Sequence, residues 1–103
     1  MQIHFQKVYV HKAAIDMRGG FEKLTYIVEQ EMGKKLSRGS FFIFLGNNRK
    51  RLKALFFDGS GLVLLSKRME KHVFMSVFDL NVEEIDVKDL ELLFHGATIR
   101  RTT

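Results

Sequence analysis

Positively charged side chains are the most prominent chemical group in this sequence. They form two clusters, which contain Arg49, Lys50, Arg51 and Lys53 in the first and Lys67, Arg68 and Lys71 in the second. Guanidinium and ammonium groups bind phosphate oxygens, and each phosphate they neutralise releases counterions from a nucleic acid. Residues 32–72 contain ten Lys or Arg but only two Asp or Glu, so we predict that both clusters bind nucleic acid. The alternative is a solvated turn at residues 49–51, with Arg51 and Lys53 on an exposed strand face.

A hairpin should bring the two clusters together. Residues 51–58 alternate, with Arg51, Lys53, Leu55 and Phe57 on one face, and residues 62–69 continue the sheet after the turn Asp58-Gly59-Ser60-Gly61. In an antiparallel pair, positions equally far from the turn lie opposite each other. Lys67 and Arg68 should therefore lie near residues 51–53, and the cations should form one continuous surface.

A second candidate anion site lies at Arg18, Gly19 and Gly20. We expect Asp16 to be the N-cap of a long helix that runs to about Met32, with Gly33 at the C′ position. Amides at the start of this helix, together with Arg18, could hold a phosphate. Alternatively, the two glycines allow the helix to approach a strand closely.

No pattern in the sequence indicates catalysis or metal binding. The four histidines, His4, His11, His72 and His95, lack the spacing of metal ligands. We find no phosphate-binding loop, no Ser or Cys in a nucleophile context and no paired acids, and Asp58 is expected to close a hairpin. We therefore predict a protein that is not an enzyme and has no catalytic residues, metal or cofactor.

The remaining elements predict one domain over residues 1–103, with a flexible tail at residues 97–103. Residues 6–11 should form a short strand, and residues 41–45, which are apolar throughout, a strand covered on both faces or placed at an interface. Residues 73–78 are a candidate further strand. The predicted fold class is α+β, an antiparallel meander of three or four strands with one long N-terminal helix and one short C-terminal helix.

The short C-terminal helix should run from about Val87 to His95. Asp86 is the expected N-cap, and Asp89, at the third helical position, favours the positive end of the helix dipole. Leu90, Leu93 and Phe94 should form its buried stripe. The acidic stretch at residues 79–91 has six acids and one lysine, and is either a solvated helix face or a surface that docks on a basic partner.

Composition indicates a cytoplasmic location. The chain has no cysteine, which favours a reducing compartment for a domain of this size. Its N-terminal residues are polar and alternating, without a signal-peptide core, and its apolar runs are too short to span a bilayer. We expect no membrane partner.

Three segments together resemble a known family. They are residues 16–21 (Asp-Met-Arg-Gly-Gly-Phe), residues 42–47 (Phe-Ile-Phe-Leu-Gly-Asn) leading into 52–55, and residues 56–62 (Phe-Phe-Asp-Gly-Ser-Gly-Leu) with 66–68. In this order they are similar to the small accessory protein encoded by the second open reading frame of insertion-sequence family sixty-six, the TnpB-type protein. The resemblance implies a role in transposition of a bacterial mobile element, beside a separate, larger transposase and other element-encoded proteins. A transposase catalytic domain, which needs three spaced carboxylates on a larger fold, does not fit this chain.

Three functions remain open at this point. The first is a non-catalytic accessory factor that binds DNA through the basic face. The second is an assembly factor that binds other element-encoded proteins through the acidic helix or an aromatic surface. The third is a small ribonuclease-type toxin that uses His72, Arg68 and Lys71.

Overall fold

The computed structural model describes residues 6–74, 76–78 and 83–95. These residues fold into a five-stranded mixed sheet with helices on both faces. The strands are β1 (Lys7–Val10), β2 (Ser40–Leu45), β3 (Arg51–Phe57), β4 (Leu62–Arg68) and β5 (Glu84–Ile85), and their order in the sheet is β4-β3-β2-β1-β5. The helices are α1 (Phe21–Tyr26), which a π-helical turn (Ile27–Glu31) continues, and α2 (Val87–Phe94).

The predicted fold class is wrong in two respects. β1 pairs with β2 in parallel, with Val8 opposite Phe41, so the sheet is mixed rather than an antiparallel meander. The segment between these two strands contains α1, as expected where parallel neighbours need a crossover connection. The long N-terminal helix is also absent, because α1 and its π-helical turn together cover only residues 21–31.

The start of α1 differs from the prediction because Asp16 caps a different structure. Its carboxylate accepts a hydrogen bond from the Arg18 backbone N–H at 2.9 Å, which closes a turn ahead of the helix. Gly20 is the N-cap instead, and it has no side chain to donate or accept. The predicted end of the helical segment is confirmed, since Met32 is the C-cap and Gly33 has a φ of 65°.

Two apolar clusters explain how the sheet is covered. On one face, which we call the α1 face, Leu24 and Val28 pack on Phe42, Phe44 and their neighbours. On the other, the α2 face, Leu93 packs with Phe41, Ile43 and their neighbours. Residues 41–45 are fully buried, which confirms a strand covered on both faces.

The prediction of a strand at residues 73–78 is wrong for the described part of that segment, which forms no strand. Phe74 and Val77 are instead buried against the α2 face. Phe74 is held by the backbone of Arg49, whose carbonyl oxygen accepts its N–H at 2.7 Å. The fifth strand is β5, which pairs antiparallel with β1 and begins inside the acidic stretch.

The C-terminal helix is confirmed nearly as predicted. Asp86 is the N-cap, although its side chain makes no capping hydrogen bond, and α2 ends at Phe94. Leu93 is fully buried, with Leu90 and Phe94 packed against the same cluster. The expected flexible tail at residues 97–103 lies outside the described residues.

Candidate nucleic-acid interface

The β3–β4 hairpin brings the two predicted basic clusters together. Its register places Arg51 opposite Arg68 and Leu52 opposite Lys67. The Asp58–Gly61 turn fixes this register, because the Asp58 carboxylate accepts hydrogen bonds from the N–H groups of Ser60 and Gly61 at 2.8 and 2.9 Å. These bonds hold the pKa of Asp58 below its ordinary value. The predicted proximity of residues 67–68 to residues 51–53 is confirmed.

Strand alternation nevertheless divides these cations between the two faces of the sheet. Arg51 and Arg68 lie on the α1 face together with Lys53. Lys67 lies on the α2 face, because its opposite residue, Leu52, belongs to the apolar cluster there. The sheet itself therefore separates Lys67 from its sequence neighbour Arg68.

Three of the predicted site residues bind backbone carbonyl groups of the protein. Lys67 Nζ donates to the Phe94 carbonyl oxygen at the end of α2 at 2.5 Å, and Lys53 Nζ donates to the Gly19 carbonyl oxygen at 2.7 Å. Arg49 Nη1 donates to the Phe74 carbonyl oxygen at 3.2 Å. All three side chains are half-buried, and their hydrogen bonds fasten neighbouring segments to the hairpin or to the loop before it.

The other four predicted cations are exposed at one end of the sheet, and we call them the basic end: Lys50, Arg51, Arg68 and Lys71. Arg68 Nη2 lies 3.2 Å from Glu70 Oε1, but the arginine side chain remains 62% exposed. Within the described part of the chain, no carboxylate forms an ion pair with Lys50, Arg51 or Lys71. The basic end is thus accessible to solvent, and most of its positive charge is not balanced by a neighbouring carboxylate among the described residues.

The second candidate anion site already contains an anion of the protein itself. Arg18 Nη2 donates to Asp16 Oδ2 at 2.6 Å and Arg18 Nε donates to Asp16 Oδ1 at 3.0 Å. This pairing lowers the pKa of Asp16 and raises that of Arg18, so both groups stay charged. A phosphate at Arg18, Gly19 and Gly20 would have to displace the Asp16 carboxylate, and this site stays a prediction.

The structure also places the Asp16–Arg18 turn beside the basic end. Met17 packs so closely on Gly46 that a Cβ there would lie 2.8 Å from Met17 Cγ. An open depression between the turn and the start of β3 is lined by Ile15, Met17, Gly46, Asn47, Asn48 and Arg51. In the sequence, no pattern connects the two sites, and the one relevant signal is the small residue Gly46, which permits this close contact.

Over the described ranges 6–74, 76–78 and 83–95, no group of three or more His, Cys, Asp or Glu side chains could hold a metal ion. In the same ranges, no helix has both the length and the apolar character needed to cross a bilayer.

The molecule is a small domain built on a mixed five-stranded sheet, with a row of exposed cations at one end of that sheet. Its sequence matches the family model described as "IS66 Orf2 like protein" over residues 6–103, so the chain belongs to that family. The family resemblance inferred from the sequence is confirmed. It connects the chain with transposition of an insertion sequence.

One relative in the comparison with curated proteins is the "Uncharacterized protein y4hO" of Sinorhizobium fredii (strain NBRC 101917 / NGR234). It is 30% identical over 69 residues, which is 67% of this chain and 60% of the relative. The matched region thus spans less than two thirds of that relative's length. No solved structure matches this chain.

Proposed function

We propose that this chain is a non-catalytic accessory factor in transposition of a bacterial insertion sequence, and that it binds the DNA backbone through the basic end. Family membership supports the connection with transposition. The exposed cations support the choice of DNA as a partner, because phosphate contacts supply most of the affinity of nonspecific DNA binding. A separate transposase and other element-encoded proteins would supply the chemistry.

The observation that carries this proposal is the pairing of Arg51 with Arg68. Like charges directly opposite each other on a strand pair are destabilising. The neighbouring pair is hydrogen-bonded, since Met69 N–H donates to the Lys50 carbonyl oxygen at 2.8 Å. Arg51 and Arg68 therefore form a non-hydrogen-bonded pair, in which side chains lie closer together. A phosphate between the two guanidinium groups would relieve this repulsion, which Glu70 offsets from one side only.

Such contacts position a protein on DNA without reading its sequence. We therefore expect binding that is steeply salt-dependent and only weakly dependent on sequence. Any preference for the ends of the element would require base contacts or partner proteins in addition to the basic end.

The test is duplex binding by the double variant Arg51→Gln/Arg68→Gln, measured by fluorescence anisotropy over a range of salt concentrations. The slope of log K against log salt should fall by about 0.9 for each phosphate that the variant no longer neutralises, so by about 2 in total. The matched control is Lys7→Gln/Lys88→Gln, which removes the same charge from two exposed lysines outside the basic end. The control should leave the slope nearly unchanged.

Two results would contradict the proposal. The first is an unmodified chain whose duplex binding is absent or insensitive to salt. The second is a control variant whose slope falls as much as that of the basic-end variant, which would show that only net charge matters. An unrelated duplex of the same length, measured alongside element-end DNA, determines how much of the binding depends on sequence.

A further inference from the structure

The two edges of the sheet differ in how well they are protected against pairing with another strand. β5 is only 2 residues long, and Glu83, Glu84 and Asp86 surround it with negative charge. β4 has 7 residues, and its first five, Leu-Val-Leu-Leu-Ser, have no charge. Natural proteins protect edge strands with short length, charge, proline or bulges, and this part of β4 has none of these.

The unpaired backbone groups of β4 can be assigned from the hairpin hydrogen bonds. Asp58 N–H donates to Gly61 O at one end of the hairpin, and Met69 N–H donates to Lys50 O at the other. Because bonded and non-bonded pairs alternate along the register, odd-numbered residues of β4 face β3. The N–H and C=O groups of Leu62, Leu64, Ser66 and Arg68 therefore point outward, where no described strand pairs with them.

We propose that a second copy of this chain pairs with β4, antiparallel, about a twofold axis at Leu65. In this register Leu64 lies opposite Ser66 of the second copy, and Leu62 lies opposite Arg68 of the second copy. Every outward-facing residue then meets another outward-facing residue, so the whole strand is used. The two Leu65 side chains, each 43% exposed in the single chain, meet at the axis on the α2 face.

Charge favours a second copy as the occupant. The register places Lys67 and Arg68 opposite uncharged residues of the other copy, Val63 and Leu62, so no like charges face each other. On the α1 face, Leu62 lines a groove together with Phe21 and Tyr26 and with the acids Glu22 and Glu29 of the helical segment. Arg68 of the second copy would enter this groove, where its stem covers apolar surface and its guanidinium group meets carboxylates.

The dimer is compatible with DNA binding at the basic end. A guanidinium group has five N–H donors, so Arg68 can bind a carboxylate of the other copy and a phosphate at the same time. The other three cations of the basic end do not belong to the paired strand. The dimer test below uses no DNA, so its outcome is independent of the proposed function.

The first experiment is sedimentation equilibrium of the full chain across the micromolar range. The apparent mass should rise with concentration from 12.0 kDa toward twice that value. Leu65→Lys places two ammonium groups face to face at the axis and removes the apolar contact between the two leucines, so it should weaken dimerisation by about tenfold or more. Leu92→Lys is the matched control, because Leu92 is similarly exposed, at 42%, but belongs to α2 and not to the strand that pairs; this variant should leave the mass curve unchanged.

The second experiment tests the register and does not depend on the stability of a lysine variant. The chain has no cysteine, so a disulfide can form only between single cysteines that are introduced for the test. In a non-hydrogen-bonded pair the Cα atoms lie about 4.5 Å apart, within the range a disulfide spans. Leu65→Cys should therefore oxidise to a covalent dimer, whereas Leu64→Cys, opposite Ser66 of the other copy, should not. The proposal is overturned if the chain remains a monomer at every concentration. It is also overturned if Leu65→Lys does not weaken the dimer and Leu65→Cys does not form a covalent dimer.

Discussion

Lys67 and Arg68 are sequence neighbours that should have separable effects on stability and on DNA binding. Lys67 binds the last carbonyl group of α2, whereas Arg68 extends into solvent on the opposite face of the sheet. We therefore compare Lys67→Met with Arg68→Met, because the same replacement removes the charge and retains much of the apolar stem at both positions.

The contacts of Lys67 determine how much Lys67→Met should lower the free energy of unfolding. A hydrogen bond to a charged group contributes about 1.5–3 kcal/mol, and a cation at a helix C-terminus adds about 0.3–1 kcal/mol. Lys67 Nζ also lies 6.0 Å from the centre of the Phe74 ring, at the limit of a cation–π contact. Because the side chain is only half-buried and solvent screens its charge, we expect a smaller loss of stability than these two contributions together, about 1–2 kcal/mol. Arg68→Met removes an exposed ion pair with Glu70, which is worth about 0.5 kcal/mol or less, and it also removes the repulsion from Arg51, so the two effects on stability oppose each other.

Urea denaturation and duplex anisotropy measure the two effects separately. Lys67→Met should lower the free energy of unfolding and lower Tm by about 5 °C per kcal/mol, with little change in the salt slope of DNA binding. Arg68→Met should leave stability nearly unchanged and reduce the salt slope by about 0.9. If Lys67→Met were as stable as the unmodified chain, or reduced the slope as much as Arg68→Met, the assignment of the two side chains to opposite faces with different roles would be refuted.

Two further predictions concern the turns. Gly33→Ala should lower the free energy of unfolding, measured by urea denaturation, by about 1 kcal/mol, because φ at this position is 65°. A Cβ would meet no atom at either Gly33 or Gly61, but Gly61 has no positive φ, so Gly61→Ala should lower the free energy of unfolding much less. Asp58→Ala should lower Tm at neutral pH. The folded pKa of Asp58 lies below its ordinary value of 3.8, so the stabilisation by its carboxylate is present above that value and is lost as pH falls through the folded pKa. The difference in Tm between the unmodified chain and Asp58→Ala should therefore narrow in acid, and a difference that stayed constant would contradict the assignment.

The parts of the fold that local patterns specify were predictable from sequence. The turn residues Asp58–Gly61 fix which residues of β3 and β4 lie opposite each other, so the register followed from counting. The apolar run at residues 41–45 indicated burial on both faces, and the N-cap and leucine stripe located α2. Each of these signals lies within the element that it describes.

The parts that depend on distant contacts were not predictable in the same way. Nothing within residues 7–10 indicates that β1 runs parallel to β2, because that pairing depends on where α1 carries the chain. Phe74 and Val77 fit either a strand or an anchored loop, and short apolar runs do not distinguish them. Asp16 is a good N-cap residue, but its carboxylate is engaged by Arg18 before the helix begins.

In the candidate site, too, the partners of several cations lie far away in the sequence and could not be predicted from it, and the identity of these partners affects the charge of the site. Arg49, Lys53 and Lys67 bind carbonyl oxygens rather than carboxylates, so they hold segments together without losing their net charge. All seven predicted cations therefore contribute to the positive field around the hairpin, although only those of the basic end are exposed. Long-range attraction governs the association rate, whereas direct contacts govern the dissociation rate. Removing the Lys67 charge should therefore slow DNA association slightly at low salt, while removing Arg51 should mainly accelerate dissociation.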